Sequence, residues 1–238
     1  MSTTLQRTLH SQVVQRLGRS IVRNEPGPGQ ALPDEEALGF QLGVSRTVLR
    51  EAIKVLAAKG MVETRPKTGT RVRAQHHWNM LDPDVLEWRF EAGPDERFLR
   101  NLTEVRHIIE PPAAALAALR ATSEDLAAID HWYRRMVVSV DDDPAFIDAD
   151  MEFHGAILAA CQNELLQQMG RTVSVTLRVS RLITVHVPGG SAGSMPWHWD
   201  IVEAIRDRDG DSAEVRMREL LRRTAADIDR VIGGEGAR

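Results

Sequence analysis

The fold of the N-terminal region is decided by residues 33–60, which read PDEEALGFQLGVSRTVLREAIKVLAAKG. Apolar residues recur at the three- and four-residue spacing of an amphipathic helix, first before and then after Gly43. Asp34 and Ser45 precede these two segments and can cap helix N-termini, and Gly43 suits the left-handed turn that ends a helix. The pattern predicts a helix-turn-helix whose second helix ends near Ala58.

The outer face of that second helix is basic. Arg46, Arg50 and Lys54 stand four residues apart, so they share one face. From a major groove, such a face can contact phosphates and base edges. Most basic stripes are only solvated helix faces, but the place of this one in a helix-turn-helix favours DNA binding. Ser45 and Thr47 add two hydroxyl groups to the first turn of the helix.

The flanking segments complete a winged helix-turn-helix domain over residues 1–73. An apolar stripe predicts an earlier helix over Leu9–Arg23. After Gly60, two strand-like runs, Met61–Arg65 and Thr70–Arg73, enclose a turn that contains Lys67. They predict a hairpin with a basic tip, and a hairpin directly after a helix-turn-helix is a wing.

Composition excludes several classes of protein. The chain has 238 residues, 42% of them hydrophobic and 27% charged, which is typical of a globular protein. No apolar stretch reaches the ~18 residues that a membrane span needs. The N-terminus has no signal-peptide pattern, so we expect a cytoplasmic protein. The single cysteine, Cys161, excludes an internal disulfide framework.

Charge divides the chain into two parts. Residues 1–73 hold 12 basic and 6 acidic residues, whereas the remainder holds 18 basic and 28 acidic ones. A basic module joined to an acidic body is consistent with a polyanionic partner for the N-terminal end. Two domains without any charge-dependent partner could have the same charges. Only the sequence motifs can therefore distinguish a nucleic-acid-binding protein from that alternative.

The C-terminal part is expected to be all-helical. Residues 74–95 form a predicted linker, and residues 96–232 show helical patterns without strand alternation. A kink or break is expected at Pro111-Pro112, and a loop is expected over Pro188–Pro196. The predicted helices are Glu96–Arg120, Glu124–Val140, Pro144–Cys161, Glu164–His186, Trp197–Arg208 and Ser212–Ile232.

The N-terminal motifs resemble the DNA-binding domain of the GntR superfamily of bacterial transcription regulators. The resemblance implies that Arg46 and Arg50 contact operator bases, that Ser45 and Thr47 hold phosphates, and that Gly69 lies in the wing. Asp34 stands where a small residue is usual and Glu36 where some members carry an operator-contacting Arg, so the operator sequence is not implied. The motifs are Leu32-Pro33-Asp34-Glu35, Leu42-Gly43-Val44-Ser45-Arg46-Thr47-Val48-Leu49-Arg50-Glu51-Ala52 and Thr68-Gly69-Thr70-Arg71-Val72. The full predicted DNA-binding set is Ser45, Arg46, Thr47, Arg50, Lys54, Lys67, Thr68 and Gly69.

Residues 96–232 are similar to the FCD ligand-binding and dimerisation domain of the FadR subfamily. The motifs that carry this resemblance are Glu104-Val105-Arg106, Asp150 with Phe153-His154, Asn163 with Leu166, and His198 with Ile201. The stretch Trp78–Trp88 is similar to the linker of galactonate-responsive repressors in that subfamily. The resemblance implies a small carboxylate effector, such as galactonate or a related hexonate or hexuronate.

A divalent metal is a candidate cofactor. Asp150 and His154 share one helix face, and with His198 they can bind Zn²⁺, Mn²⁺ or Ni²⁺ and leave positions open for the effector. On spacing alone, an aspartate and two histidines without any shared function are more common than a metal site. The family pattern adds a third His, but Leu220 occupies its position here. Arg106 either binds the effector carboxylate or forms a structural ion pair with Glu110 four residues on.

These features predict a homodimeric, ligand-responsive repressor of a catabolic operon. It would bind a palindromic double-stranded operator and be released by a small sugar acid or hydroxy acid. The alternative is a metal-dependent enzyme that acts on a sugar acid through Asp150, His154 and His198. The sequence has no glycine-rich phosphate loop, nucleophile elbow or His-Glu-x-x-His pair, which disfavours an enzyme. A scaffold that binds DNA without a ligand is a third possibility.

Overall fold

The computed structural model describes residues 9–65, 69–93, 96–170, 174, 178 and 190–232. The chain divides into two compact units, Met1–Pro94 and Asp95–Arg238. Helices dominate both units, and the first also contains one antiparallel pair of short strands. None of the described helices is long and apolar enough to cross a membrane.

The first unit is a winged helix, as predicted. Its strands pair in antiparallel register with Val62 opposite Val72, and an isolated bridge joins Ala31 to Arg71. A short 3-10 turn, Gln75–His77, leads to the last helix of the unit. In chain order the elements are α1 (Leu9–Val22), α2 (Glu35–Leu42), α3 (Arg46–Ala58), β1 (Val62–Arg65), β2 (Gly69–Val72) and α4 (Pro83–Glu91).

Local caps position α2 and α3 as the sequence predicts. The Asp34 carboxylate accepts a hydrogen bond from the Ala37 amide at 2.8 Å and so begins α2. Gly43 ends α2 in the left-handed conformation, with φ 67°. The Ser45 hydroxyl accepts from the Val48 amide at 3.3 Å and begins α3. The turn between the two helices is therefore fixed by residues within it.

Residues 75–91, from the stretch predicted as a linker, pack on the first unit. Trp78 and Trp88 are buried in the same apolar cluster as α1 and α3. The Trp88 ring lies so close to Gly18 that a Cβ there would come within 2.3 Å of a ring atom. Its indole N–H donates to Gln15 Oε1 at 2.8 Å. Both packing and a buried hydrogen bond therefore hold α4 against α1.

The second unit is a helical bundle, which confirms the predicted fold class. Its core is formed by apolar side chains of five of its helices, and the described residues of this unit contain no strand. Residues 164–170 are also helical, and most of the predicted helix beyond them lies outside the described residues. The five helices are α5 (Glu96–Arg120), α6 (Ser123–Val138), α7 (Asp143–Ala160), α8 (Gly190–Arg206) and α9 (Gly210–Ile232).

The loop expected over Pro188–Pro196 is wrong in its described part, and of the kink or break expected at Pro111-Pro112 the break is absent. Residues 190–196, predicted as part of a loop, form the first turns of α8. Glycine and serine have low helix propensity, but here Ser191 is buried and the Ser194 hydroxyl donates to the Ser191 carbonyl at 2.8 Å. Likewise, α5 continues through Pro111 and Pro112 without a break. Tertiary packing outweighs local preference at both places.

Candidate functional site

The α3 cationic face consists of Arg46, Arg50 and Lys54. The opposite face of α3 carries Leu49 and Leu56, which are buried in the core of the first unit. Because the apolar side of the helix is held against α1 and α2, the basic side is turned to solvent. Side chains on this face are more than half exposed, at 64% for both arginines and 72% for Lys54.

Each cation of this face has a carboxylate partner. The pairing was not foreseen from the sequence, because two of the three partners come from the neighbouring helix α2. The pairs are Arg46 Nη2 with Glu36 Oε2 at 2.9 Å, Arg50 Nε with Glu35 Oε2 at 2.7 Å, and Lys54 Nζ with Glu51 Oε1 at 2.7 Å. The described α3 cationic face is therefore close to neutral in charge.

The other predicted DNA-binding residues surround this face in part. Ser45 and Thr47 are exposed in the first turn of α3, although the Ser45 hydroxyl is engaged as the cap. Gly69 begins β2 with φ 75°, a conformation that favours glycine. Lys67 and Thr68 lie outside the described residues.

A buried polar cluster lies in the second unit. Asp150 and His154 project from α7 and His198 from α8, and all three are fully buried. One oxygen or nitrogen from each lies within 4.8 Å of the others. Asp150 Oδ1 is 3.0 Å from His198 Nε2 and 3.9 Å from His154 Nε2. The structure thus brings together the three residues that the sequence proposes as metal ligands.

The surroundings orient both imidazole rings. His198 Nδ1 lies 2.8 Å from the Ser194 carbonyl, which can only accept, so Nδ1 donates and Nε2 is directed at Asp150. His154 Nδ1 lies 2.7 Å from Glu110 Oε2, although the contact is poorly aligned for a hydrogen bond. In each ring Nδ1 faces an oxygen outside the cluster, of Glu110 or of Ser194, and Nε2 faces into the cluster. This arrangement is typical of metal-bound histidines.

The three side chains fit a divalent cation. His154 Nε2 is buried without a hydrogen-bond partner in the described part of the chain. A carboxylate and two imidazole nitrogens form a donor set that Zn²⁺, Mn²⁺ and Ni²⁺ accept. A cation would compensate both the buried Asp150 charge and the unpartnered nitrogen, which are otherwise costly to bury. Leu220 is buried in the apolar core and offers no fourth ligand.

Arg106 and Glu110 form a buried ion pair next to this cluster. Arg106 Nε donates to Glu110 Oε1 at 2.7 Å, and both side chains are at most 2% exposed. Burial alone would raise the pKa of Glu110, but the charges of Arg106 and His154 outweigh it and lower the pKa to about 2. The structure contains the ion pair considered for Arg106, whereas binding of an effector carboxylate by Arg106 stays a prediction.

What sequence reasoning missed at this site is the contact of Glu110 with His154. The i, i+4 spacing to Arg106 indicated their pairing, since both lie on one face of α5. The contact to His154 depends on how α5 packs against α7, and no local pattern encodes it. Glu110 links the buried arginine to a candidate metal ligand.

Two domain families match the chain. Residues 9–72 match the bacterial regulatory proteins of the gntR family, and residues 101–223 match the FCD domain. The chain belongs to the GntR family. The FCD match covers the helices that carry Arg106, Glu110, Asp150, His154 and His198.

Similar proteins support the assignment along nearly the whole chain. The galactonate operon transcriptional repressor of Escherichia coli strain K12 is 36% identical over 89% of this chain and 92% of its own length. A putative L-lactate dehydrogenase operon regulatory protein of the same strain is 32% identical over 90% of this chain and 83% of its own. The GntR-family protein is therefore a DNA-binding transcription regulator and not an enzyme.

A solved structure shows the same fold. Lar, which controls expression of the Listeria monocytogenes agr system, superposes with a TM-score of 0.65. The match covers 94% of this chain and 97% of Lar, at 20% sequence identity. The order of a winged helix followed by a helical domain is thus found in an experimentally solved protein.

Proposed function

We propose that this regulator represses a catabolic operon and is released from its operator by a small sugar acid or hydroxy acid. The observation that carries the proposal is the buried cluster of Asp150, His154 and His198 inside the FCD domain. A buried polar cluster with an unpartnered nitrogen is suited to hold a ligand rather than to stabilise a core. The galactonate repressor among the similar proteins supports a sugar acid such as a hexonate or hexuronate.

DNA binding is assigned to α3 and the wing. Arg46 and Arg50 are long enough to contact base edges from a major groove, and guanidinium groups pair with guanine by two hydrogen bonds. Ser45, Thr47, Lys54 and the wing residues Lys67, Thr68 and Gly69 would hold the phosphate backbone on either side. Specificity then depends on the arginines, and overall affinity depends on the rest.

The metal and the effector would share the buried cluster. Asp150, His154 and His198 would hold a divalent cation, whose open coordination positions would accept the carboxylate and hydroxyl of the acid. Nδ1 of His154 faces Glu110 and Nδ1 of His198 bonds to the Ser194 carbonyl, so Nε2 of each ring is left for the cation. Release from DNA requires that the acid bind more tightly to one of two states of the protein. Such coupling typically changes affinity by about 5–150-fold.

A homodimer is supported by an exposed apolar stripe on α5. Val105, Ile108 and Leu119 lie on the solvent side of this helix, with Ile108 71% and Leu119 66% exposed. Large apolar side chains in one stripe are costly in water and are typical of an interface. A second copy of the chain is the partner we propose, because two-fold symmetry matches a palindromic operator. Ile108→Glu should yield a monomer in sedimentation experiments, whereas Val138→Glu on α6 should not.

The effector proposal is tested by thermal unfolding with a panel of sugar acids and short hydroxy acids. A ligand at 100 times its Kd stabilises a protein by about 2.7 kcal/mol. For a chain of this size the midpoint should rise by roughly 5–10 °C. The shift should disappear with a chelator and in His198→Ala, and the same acid should release the protein from operator DNA. Absence of a shift with every acid would contradict the proposed effector class and leave DNA binding unaffected.

A further inference from the structure

The α3 cationic face is charge-compensated although the first 73 residues carry a basic surplus. Three carboxylates hold its three cations at 2.7–2.9 Å, and a fourth pair, Arg65 with Glu63 at 2.8 Å, lies on β1 of the wing. Ordinary DNA-binding surfaces leave their cations available to phosphates. Acidic partners on such a surface have an electrostatic cost in every complex with DNA.

Helix capping does not account for these carboxylates. Glu35 and Glu36 lie in the first turn of α2, where negative charge complements the helix dipole. The dipole requires only that they be near the helix end, whereas both side chains reach across to arginines of α3. Glu51 lies inside α3 and has no dipole role. The shared property of the three is their contact with the cations of one face.

The cost differs between non-specific and specific DNA. In a non-specific complex the cations move to phosphates, and the carboxylates remain beside the phosphates without a compensating partner. In a specific complex a carboxylate in the major groove can accept a hydrogen bond from a cytosine amino group. The same three groups therefore weaken binding to arbitrary sequence more than binding to the operator.

We propose that Glu35, Glu36 and Glu51 increase the sequence specificity that the arginines provide, by holding the α3 cations and repelling phosphates in non-specific complexes. The proposal rests on the assignment of α3 to DNA binding. The role of these exposed acidic residues is to disfavour non-specific DNA, although DNA is itself an anion.

The test compares Glu35→Gln, Glu36→Gln, Glu51→Gln and the triple variant with the wild-type dimer. Affinity is measured for the operator duplex and for a shuffled duplex across a salt series. For shuffled DNA, each substitution should raise affinity about two- to fivefold. The slope of log affinity against log salt should steepen with each carboxylate removed, because the net positive charge that faces the phosphates rises. Operator affinity should change less, so the specificity ratio falls.

Two matched variants keep the outcome interpretable. Glu87→Gln removes the same charge from the exposed side of α4, outside this face, and should leave both affinities near wild type. Glu36→Asp keeps the charge and should retain the specificity ratio. Equal effects of Glu36→Gln and Glu87→Gln would overturn the proposal and show a net-charge effect. Failure of the wild-type protein to prefer any operator over shuffled DNA would instead overturn the proposed function.

Discussion

Two ion pairs of identical length lie at opposite depths in this protein. Arg50 Nε and Glu35 Oε2 are 2.7 Å apart on the surface of the first unit, with side chains 64% and 38% exposed. Arg106 Nε and Glu110 Oε1 are also 2.7 Å apart, but inside the second unit and at most 2% exposed. Both contacts join an arginine Nε to a glutamate oxygen, but Glu110 also contacts His154, and the surrounding medium differs.

The medium decides what each pair can do. Water weakens the surface pair, so Arg50 can exchange its carboxylate for a base or a phosphate at a much smaller cost than separation of a buried pair would have. The buried pair cannot exchange partners, because either charge alone would be stranded in a poorly polarisable interior. We conclude that the first pair is suited to binding and release, and the second to holding a neighbouring histidine in place.

Breaking the buried pair should have the largest effect. Glu110→Leu leaves the Arg106 charge without a partner, which should lower the free energy of unfolding by about 3–5 kcal/mol. The double variant Arg106→Met/Glu110→Leu removes both charges and should recover most of the loss. Urea denaturation followed by circular dichroism measures both. A double variant as unstable as the single one would show that the ion pair itself, not the stranded charge, dominates.

The pKa of Glu219 provides a control for this prediction. Hydrogen bonds to Arg222 and the charges of Arg222 and Arg223 lower the pKa of Glu219 to about 2, as low as that of Glu110. Glu219 is nevertheless partly exposed on α9. Glu219→Leu should therefore leave stability nearly unchanged, because solvent replaces the lost partners.

The surface pair should matter for DNA and not for stability. Arg50→Ala should weaken operator binding by about 1–3 kcal/mol, roughly 5–150-fold, through loss of a base contact. The thermal midpoint should stay close to that of the wild type. Arg134→Ala, which removes an arginine that is also more than half exposed but lies on α6, is the matched control for DNA binding. A footprint with full sequence preference in Arg50→Ala would refute the assignment of α3.

An intermediate case tests whether the effect on stability is graded with burial. Lys59 Nζ contacts Asp82 at 2.7 Å and Asp84 at 2.8 Å, with 12% of its side chain exposed. Lys59→Met should cost about 1–2 kcal/mol of unfolding free energy, between the two extremes. If Lys59→Met lowered the free energy of unfolding as much as Glu110→Leu does, the loss of stability would not be graded with burial.

The same lysine predicts a dependence on pH. Burial alone would lower the pKa of Lys59, but hydrogen bonds to Asp82 and Asp84 outweigh burial and raise the pKa above the ordinary value of a lysine. A group whose pKa is higher in the folded state stabilises the protein fully at pH values below its unfolded-state pKa. This stabilisation is lost as the pH rises through the folded-state pKa. The difference between wild type and Lys59→Met should therefore shrink in strongly alkaline solution.

The smallest expected effect concerns the wing. Lys67→Ala should weaken binding to all sequences alike and lower the salt slope by about one, since one phosphate contact is lost. The measurement is a salt series on operator and shuffled duplexes. An unchanged slope would remove Lys67 from the set of DNA contacts.

The winged helix could be predicted because its signals are local. Asp34, Gly43 and Ser45 fix the turn through contacts within three residues, and the apolar spacing of α3 identifies its buried side. The bounds of α5 were predicted without error, since an acidic first turn and a basic last turn enclose the apolar pattern. Such elements need no knowledge of the rest of the fold.

The remaining features depend on contacts between distant segments. Nothing near Gly190 indicates that Ser191 will be buried, so the first turns of α8 were predicted as a loop. The pairing of Glu36 with Arg46 requires the angle between α2 and α3, and that of Glu110 with His154 requires α5 against α7. The proximity of Asp150, His154 and His198 could be predicted only because the family motif supplied the long-range information that spacing lacks; their role as metal ligands stays a prediction.

The contact between Gly18 and Trp88 determines where this protein can be divided. A chimera that joins its DNA-binding unit to another effector domain must carry residues through 93, because the indole over Gly18 and the N–H bond to Gln15 belong to that unit. A junction at residue 73 would leave Gln15 and the apolar side of α1 facing water. The transferable module is therefore longer than the winged helix by one complete helix.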